Sequence, residues 1–405
     1  MLALLVLCAA FAPPQTSHST PRTSVPRPPA LLPRDVDVLP DGSLLVLTAE
    51  AGAVRLDANT GARVAPFAPT LEGAVRAELD PLRSAVAIGR LDGTVTIWPL
   101  SSADGAALLD GTDPDVRARR ARAAVTLGTA DSEGRSYPNL TWTHDGEHLV
   151  TWQRSFFHGA VTSPVQVWTR TGDLLWQGPP ATDVAVHPLE NELALTVGGS
   201  KELRFGWPDG RGGGVERFEL PGPCTTVSFH PDGSRLAVGG SATDASEQRK
   251  PWVWIVDPHT RSTLQRFLVR GVDPMEIKQR TDCVRWSSDG RWLGVTLGKG
   301  NAVGILHASS GIARWSGNYR GGRMQEVFDA TWLPGLRLLS NWPTGLIGDP
   351  DSQQSVALPW MTYSLAAGIP GTDHAVLIAL PMDDAPFLAR VSTRTGEIVW
   401  RSFDR

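Results

Sequence analysis

Short apolar runs alternate with tight-turn sequences along the chain. Residues 227–240 read VSFHPDGSRLAVGG, and residues 284–298 read VRWSSDGRWLGVTLG. In both segments an Asp-Gly pair separates two runs rich in Val, Leu, Phe or Trp. Such a pair suits a tight hairpin turn, because Gly accepts a positive φ and Asp bonds the backbone two residues on. The pattern therefore predicts two antiparallel strands in each segment.

The same hairpin pattern occurs eight times. The six further copies are 36–48, 77–89, 140–152, 184–198, 330–340 and 365–380. Each copy continues into a third strand and often a fourth, and a second repeated turn such as TRTG or ASSG joins these strands. The spacing of the copies clusters near a period of about 43 residues. No run of helical periodicity separates them, which argues against a parallel βαβ architecture.

Four antiparallel strands per repeat at this period are typical of a propeller blade. A lone four-stranded sheet leaves both faces in water, whereas a ring of sheets packs each face against a neighbour. We therefore predict an all-β fold, a single β-propeller of eight four-stranded antiparallel blades. Seven blades are the alternative, if the short copy at 330–340 merges with its neighbour. The last copy contains its own final strand, EIVWRS at 397–402, so an N-terminal strand is not needed to close the ring.

The chain resembles the WD-repeat propellers over residues 35–403. The matching features are the FHPDG turn and a Trp near the end of the third strand, at Trp98 and Trp168. It departs from that family in lacking the Gly-His pair and in having Pro99 and Thr169 where the Asp of the Trp-Asp pair is expected. The segments TGDLLW, SGIARW and TGEIVW are instead similar to repeats of quinoprotein-like eight-bladed propellers. Both resemblances imply the same architecture.

The chain divides into three parts. Residues 1–12, MLALLVLCAAFA, have the length of a signal-peptide apolar region and are too short to span a bilayer. Residues 13–34 are rich in Pro, Ser and Thr and predict a flexible or extended tether. Residues 35–405 predict the propeller, with insertions near 103–136 and 268–281.

The N-terminal segment sets the expected localisation. We expect an exported protein, periplasmic or secreted, that is lipid-anchored if Cys8 in LVLC is a lipid site. A cytoplasmic protein is the alternative if the apolar run is not a signal. No other segment reaches transmembrane length, and we expect a monomer.

Composition narrows the class of partner. Apolar residues make up 41% of the chain and charged residues 20%, so a packed core is expected, and the net charge of −4 argues against a nucleic-acid binder. Most of the 15 Trp lie in strand-like runs, which favours a core role over a carbohydrate platform. Cys224 and Cys283 fall at different positions of the repeat, so we predict no disulfide between them.

The sequence carries no motif for chemistry that we can assign. His144, His187 and His230 occupy neighbouring positions of the first turn in three blades, where the repeat holds them apart, so we predict no shared metal site. No nucleophile motif such as G-x-S-x-G is present. We therefore predict no cofactor, no metal and no enzymatic activity.

Two groups of residues are candidates for binding. The first comprises polar residues at the start of the first strands, which would ring one mouth of the central channel: Asp35, Arg76, Asn139, Asp183 and Asp329, with Thr226 and Cys283 at the same position of two other blades. A mouth of this kind would bind a cation, a basic peptide tip or a small polar ligand. Ordinary solvation of strand ends is the alternative.

The second group is a basic segment in the first insertion. Asp113 and Pro114 have the character of a helix start, and four arginines follow: Arg117, Arg119, Arg120 and Arg122. The segment is either a solvated helix or a surface that recruits an acidic partner.

We expect from these observations a non-catalytic WD-repeat-like propeller that binds other proteins as a scaffold. The alternatives are a propeller enzyme, either a quinoprotein-like oxidoreductase or a hydrolase, and a periplasmic assembly scaffold. An enzyme would need converging titratable residues on one face.

Overall fold

The computed structural model of the protein describes the residues from 33 to 402 with short gaps. The described ranges are 33–48, 52–68, 73–100, 124–127, 137–154, 164–207, 215–243, 248–269, 280–298, 302–318, 330–333, 335–340, 346–358, 361–380 and 387–402. These residues form β-strands and turns without a helix, so none of the described elements is a helix that could cross a membrane.

The first four sheets follow one another along the chain. Blade 1 consists of β1 (Pro33–Val38), β2 (Leu44–Thr48), β3 (Gly52–Leu56) and β4 (Arg63–Ala68). Blade 2 consists of β5 (Ala74–Leu79), β6 (Ala85–Arg90), β7 (Val95–Pro99) and β8 (Val125–Leu127). Blade 3 consists of β9 (Tyr137–Trp142), β10 (His148–Arg154), β11 (Pro164–Thr169) and β12 (Leu174–Pro180). Blade 4 consists of β13 (Asp183–Val186), β14 (Leu193–Thr196), β15 (Glu202–Gly206) and β16 (Glu216–Glu219).

The remaining sheets repeat this arrangement. Blade 5 consists of β17 (Cys224–Phe229), β18 (Leu236–Thr243), β19 (Arg249–Asp257) and β20 (Ser262–Leu268). Blade 6 consists of β21 (Arg280–Trp286), β22 (Trp292–Gly298), β23 (Ala302–His307) and β24 (Ala313–Asn318). Blade 7 consists of β25 (Ala330–Leu333), β26 (Arg337–Ser340), β27 (Leu346–Gly348) and β28 (Ser355–Ala357). Blade 8 consists of β29 (Met361–Gly368), β30 (His374–Leu380), β31 (Phe387–Ser392) and β32 (Ile398–Ser402).

Each blade is a four-stranded antiparallel sheet whose strands pair in chain order. The first strands of neighbouring blades contact each other, as β1 does with β5 and with β29, and therefore lie at the centre of the ring. The eight-bladed prediction is confirmed. The seven-bladed alternative is wrong, because the short copy at 330–340 supplies two strands of a complete sheet, β25 to β28. Blade 8 contains its own last strand, β32, and takes none from the N-terminal side.

The core consists of eight apolar clusters, and each cluster joins two adjacent blades. Leu47 of blade 1 and Ile88 of blade 2 belong to one of them. The cluster that closes the ring combines Val36 of blade 1 with Val376 and Leu388 of blade 8. Burial of an apolar side chain of this size stabilises the fold by about 1.5–3 kcal/mol. No blade buries both of its faces alone, so the sheets depend on their neighbours, as the repeat pattern predicts.

The repeated Asp-Gly turn has a second role between blades. Gly233, in the first turn of blade 5, has φ +77°, and a Cβ atom built on it would lie 2.3 Å from the ring of His187 in blade 4. That ring also hydrogen-bonds the Gly233 carbonyl at 3.1 Å and packs edge-on against Phe229, at 4.9 Å between ring centroids. His230 occupies the same place beneath Gly290 of blade 6. Glycine is therefore required both by the turn and by the side chain of the preceding blade.

The second repeated turn, between the third and fourth strands, contacts the outermost strand of the preceding blade in the same way. A Cβ atom at Gly172 of blade 3 would lie 2.6 Å from the side chain of Val125 in blade 2. At the ring closure, Gly61 of blade 1 lies against Trp400 of blade 8, whose indole N–H donates to the Ala58 carbonyl at 3.1 Å. Side-chain packing rather than strand exchange thus closes the ring.

The predicted insertion at 103–136 contains β8, the fourth strand of blade 2. The segment from 101 to 123 therefore connects the third and fourth strands of one blade, and the sequence pattern did not reveal a strand of only three residues. Residues 270–279 connect blades 5 and 6, as the second predicted insertion requires.

Candidate functional site

The first and third turns of the blades lie at the same end of the sheets. In an antiparallel sheet of consecutive strands, the connection between strands 1 and 2 and the connection between strands 3 and 4 are on one side. We call the surface formed by these connections the turn face. It carries the Asp-Gly turns, the His residues of the first turns, the end of β7 and the start of β8.

Four of the five polar residues predicted to ring the channel mouth lie within the described first strands: Asp35, Arg76, Asn139 and Asp183. Two of these four are buried. Asp35 and Asp183 are 4% and 5% exposed. One Asp35 carboxylate oxygen accepts the Ala77 N–H of blade 2 at 2.7 Å, and Arg76 lies 3.9 Å from that carboxylate. Asn139 is partly exposed in β9.

Asp183 makes the corresponding contacts on the other side of the ring. Its carboxylate accepts the Thr226 hydroxyl at 2.8 Å and the Val227 N–H at 3.1 Å, both from blade 5. Arg285 of blade 6 donates to the same oxygen at 3.1 Å. The Thr226 hydroxyl in turn accepts the Val284 N–H at 3.2 Å.

The polar side chain at this position of the first strand therefore stabilises the contact with the next blade. A first strand pairs on one edge only, and side chains of the preceding blade accept N–H groups from its open edge. A buried N–H without an acceptor costs about 1–3 kcal/mol, so these contacts support the ring. Ligand binding at the channel mouth stays a prediction. Asp329, Arg117, Arg119, Arg120 and Arg122 lie outside the described residues.

Three carboxyl groups lie close together where blades 1 and 2 meet at the centre. Burial raises the pKa of Glu78 to about 8 and that of Asp35 to about 6, against the opposing effect of Arg76. Burial also raises the pKa of Asp37, whose carboxylate accepts the Leu79 N–H. The folded state therefore binds these protons more tightly than the unfolded chain. Their stabilising contribution is complete below about pH 4 and is lost as the pH rises through 6 and 8.

Buried acids on the turn face pair with arginines of the next blade. Asp80 in the first turn of blade 2 accepts Arg170 of blade 3 at 2.9 Å. Glu192 of blade 4 accepts Arg261, in the third turn of blade 5, which also lies 3.8 Å above the Phe205 ring. Both contacts join a first turn to the third turn of the following blade, and both leave the acid engaged in an ion pair.

The cysteines offer no reactive thiolate among the described residues. Cys224 and Cys283 are both buried and are not joined by a disulfide, which confirms that prediction. Burial raises the pKa of the Cys224 thiol to about 12, which keeps it protonated at neutral pH.

Exposed leucines mark the first turns of blades 2 and 4. Leu82 and Leu189 are 63% and 60% exposed. His144, in the first turn of blade 3 between them, is also exposed. We call these three residues the leucine patch.

A scan against protein-family models finds no match to the chain, and a search of curated proteins finds no similar sequence. The fold is therefore established by the structure alone.

The structure also brings together residues that the sequence analysis did not connect. His187 and Glu190 in the first turn of blade 4 approach His259 in the third turn of blade 5, with candidate ligand atoms within 4.8 Å of one another. The His-x-x-Glu spacing in HPLE was visible in the sequence. The approach of His259 was not, because it depends on which turn of the next blade faces the first turn.

Proposed function

We propose that this protein is a non-catalytic propeller, similar to the WD-repeat scaffolds, that binds another protein through its turn face. The leucine patch carries the proposal. Leu82 on blade 2 and Leu189 on blade 4 are each more than half exposed and flank the first turn of blade 3. They offer apolar contact area, which is the usual centre of a protein interface.

Contacts between the first turns of adjacent blades hold the leucine patch in place. Leu82 lies beside the first turn of blade 3, since a Cβ atom at Gly146 would be 3.6 Å from its side chain. Asp145 in that turn accepts the Asn191 amide at 2.6 Å, and Asn191 accepts the Asp145 N–H at 3.2 Å. These contacts hold the first turns of blades 2, 3 and 4 together, so binding needs little ordering of the backbone.

The described strands on either side of the basic segment lead to the same surface. Residues 101–123 connect β7 to β8 and thus leave and re-enter blade 2 at the turn face. Arg117, Arg119, Arg120 and Arg122 would favour a partner that places acidic residues around an apolar centre. No nucleic acid is expected, given the net charge of −4.

The proposal accounts for the engaged acids as well. Asp80, Asp183 and Glu192 each contact an arginine of a following blade, and such groups serve the fold. These three acids are therefore not the free titratable groups that a propeller enzyme, oxidoreductase or hydrolase, would use. Export through residues 1–12, with or without lipid on Cys8, and a monomeric state belong to the same proposal.

The test is an affinity capture from the native host with matched variants. Leu82→Glu combined with Leu189→Glu should abolish capture of a specific partner, because a charge in the centre of an apolar contact must be desolvated. Leu264→Glu is the control, since Leu264 is 54% exposed on the outermost strand of blade 5, away from the patch. Equal capture by both variants would contradict the proposed surface.

Deletion of residues 103–122 tests the basic segment and leaves β8 intact. Loss of the same partner would assign the arginines to the interface, whereas unchanged capture would restrict the interface to the leucine patch. An absorbing cofactor that co-purifies with the protein would contradict the non-catalytic function.

A further inference from the structure

A cluster of His187, Glu190 and His259 lies on the turn face between blades 4 and 5. His187 and Glu190 belong to the first turn of blade 4, and His259 belongs to the third turn of blade 5. Their candidate donor atoms, one per residue, all lie within 4.8 Å of one another. Two imidazoles and one carboxylate form a ligand set that zinc uses with a water in the fourth position.

The hydrogen bonds of His187 fix its tautomer. Its Nε2–H donates to the Gly233 carbonyl at 3.1 Å, so Nδ1 carries the lone pair. An imidazole that binds a metal generally donates its other N–H to a carbonyl or carboxylate in this manner.

The lone pair on Nδ1 accepts two backbone N–H groups in the absence of a metal. These are the N–H of Leu189 at 3.2 Å and that of Glu190 at 3.0 Å. Both residues are exposed, so water replaces His187 as the acceptor when a metal displaces these bonds. Because a metal must displace these two hydrogen bonds, we expect its affinity for the site to be moderate.

The other two ligands are able to close around an ion. Glu190 and His259 are exposed, and neither side chain has a hydrogen bond to another residue in the described part of the chain. Bonds of about 2.0–2.2 Å in a tetrahedral site place donor atoms roughly 3.3–3.6 Å apart, so these side chains move inward by about 1 Å. The neighbouring Glu192 is paired with Arg261, which leaves Glu190 as the available carboxylate.

We propose that His187, Glu190 and His259 form a divalent-metal site that takes zinc and joins the turns of blades 4 and 5. The ion bridges two blades at a place where the first turn of one meets the third turn of the next. The site adjoins the leucine patch, since Leu189 lies between His187 and Glu190, but zinc binding is measured without a partner protein.

The test is a zinc titration of the full-length, untagged protein against a chromophoric chelator. The wild-type protein should bind one equivalent of zinc with a dissociation constant in the micromolar range. His259→Ala and Glu190→Gln, both at exposed positions, should each weaken binding by at least about tenfold. His307→Ala removes a histidine at the end of β23 in blade 6, outside this cluster, and should leave the affinity unchanged.

Cobalt provides a second measurement. Bound Co²⁺ should show the strong visible absorption of a four-coordinate ion, and His259→Ala should lose this absorption. The proposal is overturned if the wild-type protein takes up no stoichiometric zinc, or if His307→Ala weakens binding as much as His259→Ala does.

Discussion

The contact between Gly233 and His187 makes a quantitative prediction about the first turns. In Gly233→Ala the new Cβ atom would lie 2.3 Å from the buried His187 ring, and the residue must keep φ +77°. Gly42 is a matched control, because it occupies the same turn of blade 1 with φ +80° and has nothing within 4 Å of its Cβ position. The two variants share the backbone strain and differ in the clash.

The magnitude follows from these two contributions. Holding an L-residue at positive φ costs about 1–2 kcal/mol, and this is the whole effect expected for Gly42→Ala. Displacing the His187 ring adds about 1–3 kcal/mol of overpacking and about 1 kcal/mol for the lost bond to the Gly233 carbonyl. Gly233→Ala should therefore cost about 2–4 kcal/mol more than the control. For a ring of this size, each kcal/mol lowers the unfolding midpoint by about 1.3 °C.

Differential scanning calorimetry of four variants measures the effect. His187→Ala removes the ring, so Gly233→Ala in that background should cost only what Gly42→Ala costs, a coupling of about 2–4 kcal/mol. Equal midpoints for Gly233→Ala and Gly42→Ala would refute the reasoning. So would a Gly233→Ala effect that persists at full size after His187 is removed.

Three further predictions concern other parts of the molecule. Because burial raises the pKa of Glu78 to about 8, the unfolding temperature of the wild-type protein should be lower at pH 8.5 than at pH 5.5. Glu78→Gln should remove most of this difference, which corresponds to about 2–4 kcal/mol at pH 8.5. Thermal melts across that pH range measure both effects. Asp183→Ala leaves the buried Val227 N–H without its acceptor and should cost about 3–5 kcal/mol, whereas Asp183→Asn keeps an acceptor and should cost about half as much in the same melts. Intact-mass analysis of protein from the native host should show cleavage after Ala12 or a lipid on Cys8.

Each of these predictions has a contradicting result. A wild-type unfolding temperature that is higher at pH 8.5 than at pH 5.5 would mean that Glu78 is ionised without cost to the fold. Equal losses for both Asp183 variants would mean that the N–H contact contributes little. A full-length, unmodified N-terminus in exported protein would exclude both forms of processing.

Much of the fold was predictable from the sequence because the turn chemistry repeats. The Asp-Gly turns located the first two strands of blades 1, 3, 5 and 6, and the same outline with altered turns located those of the other four blades. The second repeated turn located the outer strands. The three-residue strand Val125–Leu127 was not predictable, since a segment so short carries no clear apolar alternation.

The candidate sites were harder to predict from the sequence than the fold was. The sequence marks the repeated polar position at Asp35 and Asp183 as a candidate for ligand binding, and that role stays a prediction. Its side chains turn toward the next blade, however, and a sequence does not show which N–H group they meet. The approach of His259 to His187 depends on the stagger between adjacent blades, which only the structure provides.

Blade 8 completes its sheet without borrowing a strand from blade 1, so the seam between them resembles the other seven. Each blade is then a self-contained segment of sequence, and a gene can gain or lose one without leaving an unfinished sheet. Circular permutation at any blade boundary should likewise preserve every backbone pairing, so the ring should form whichever blade is synthesised first.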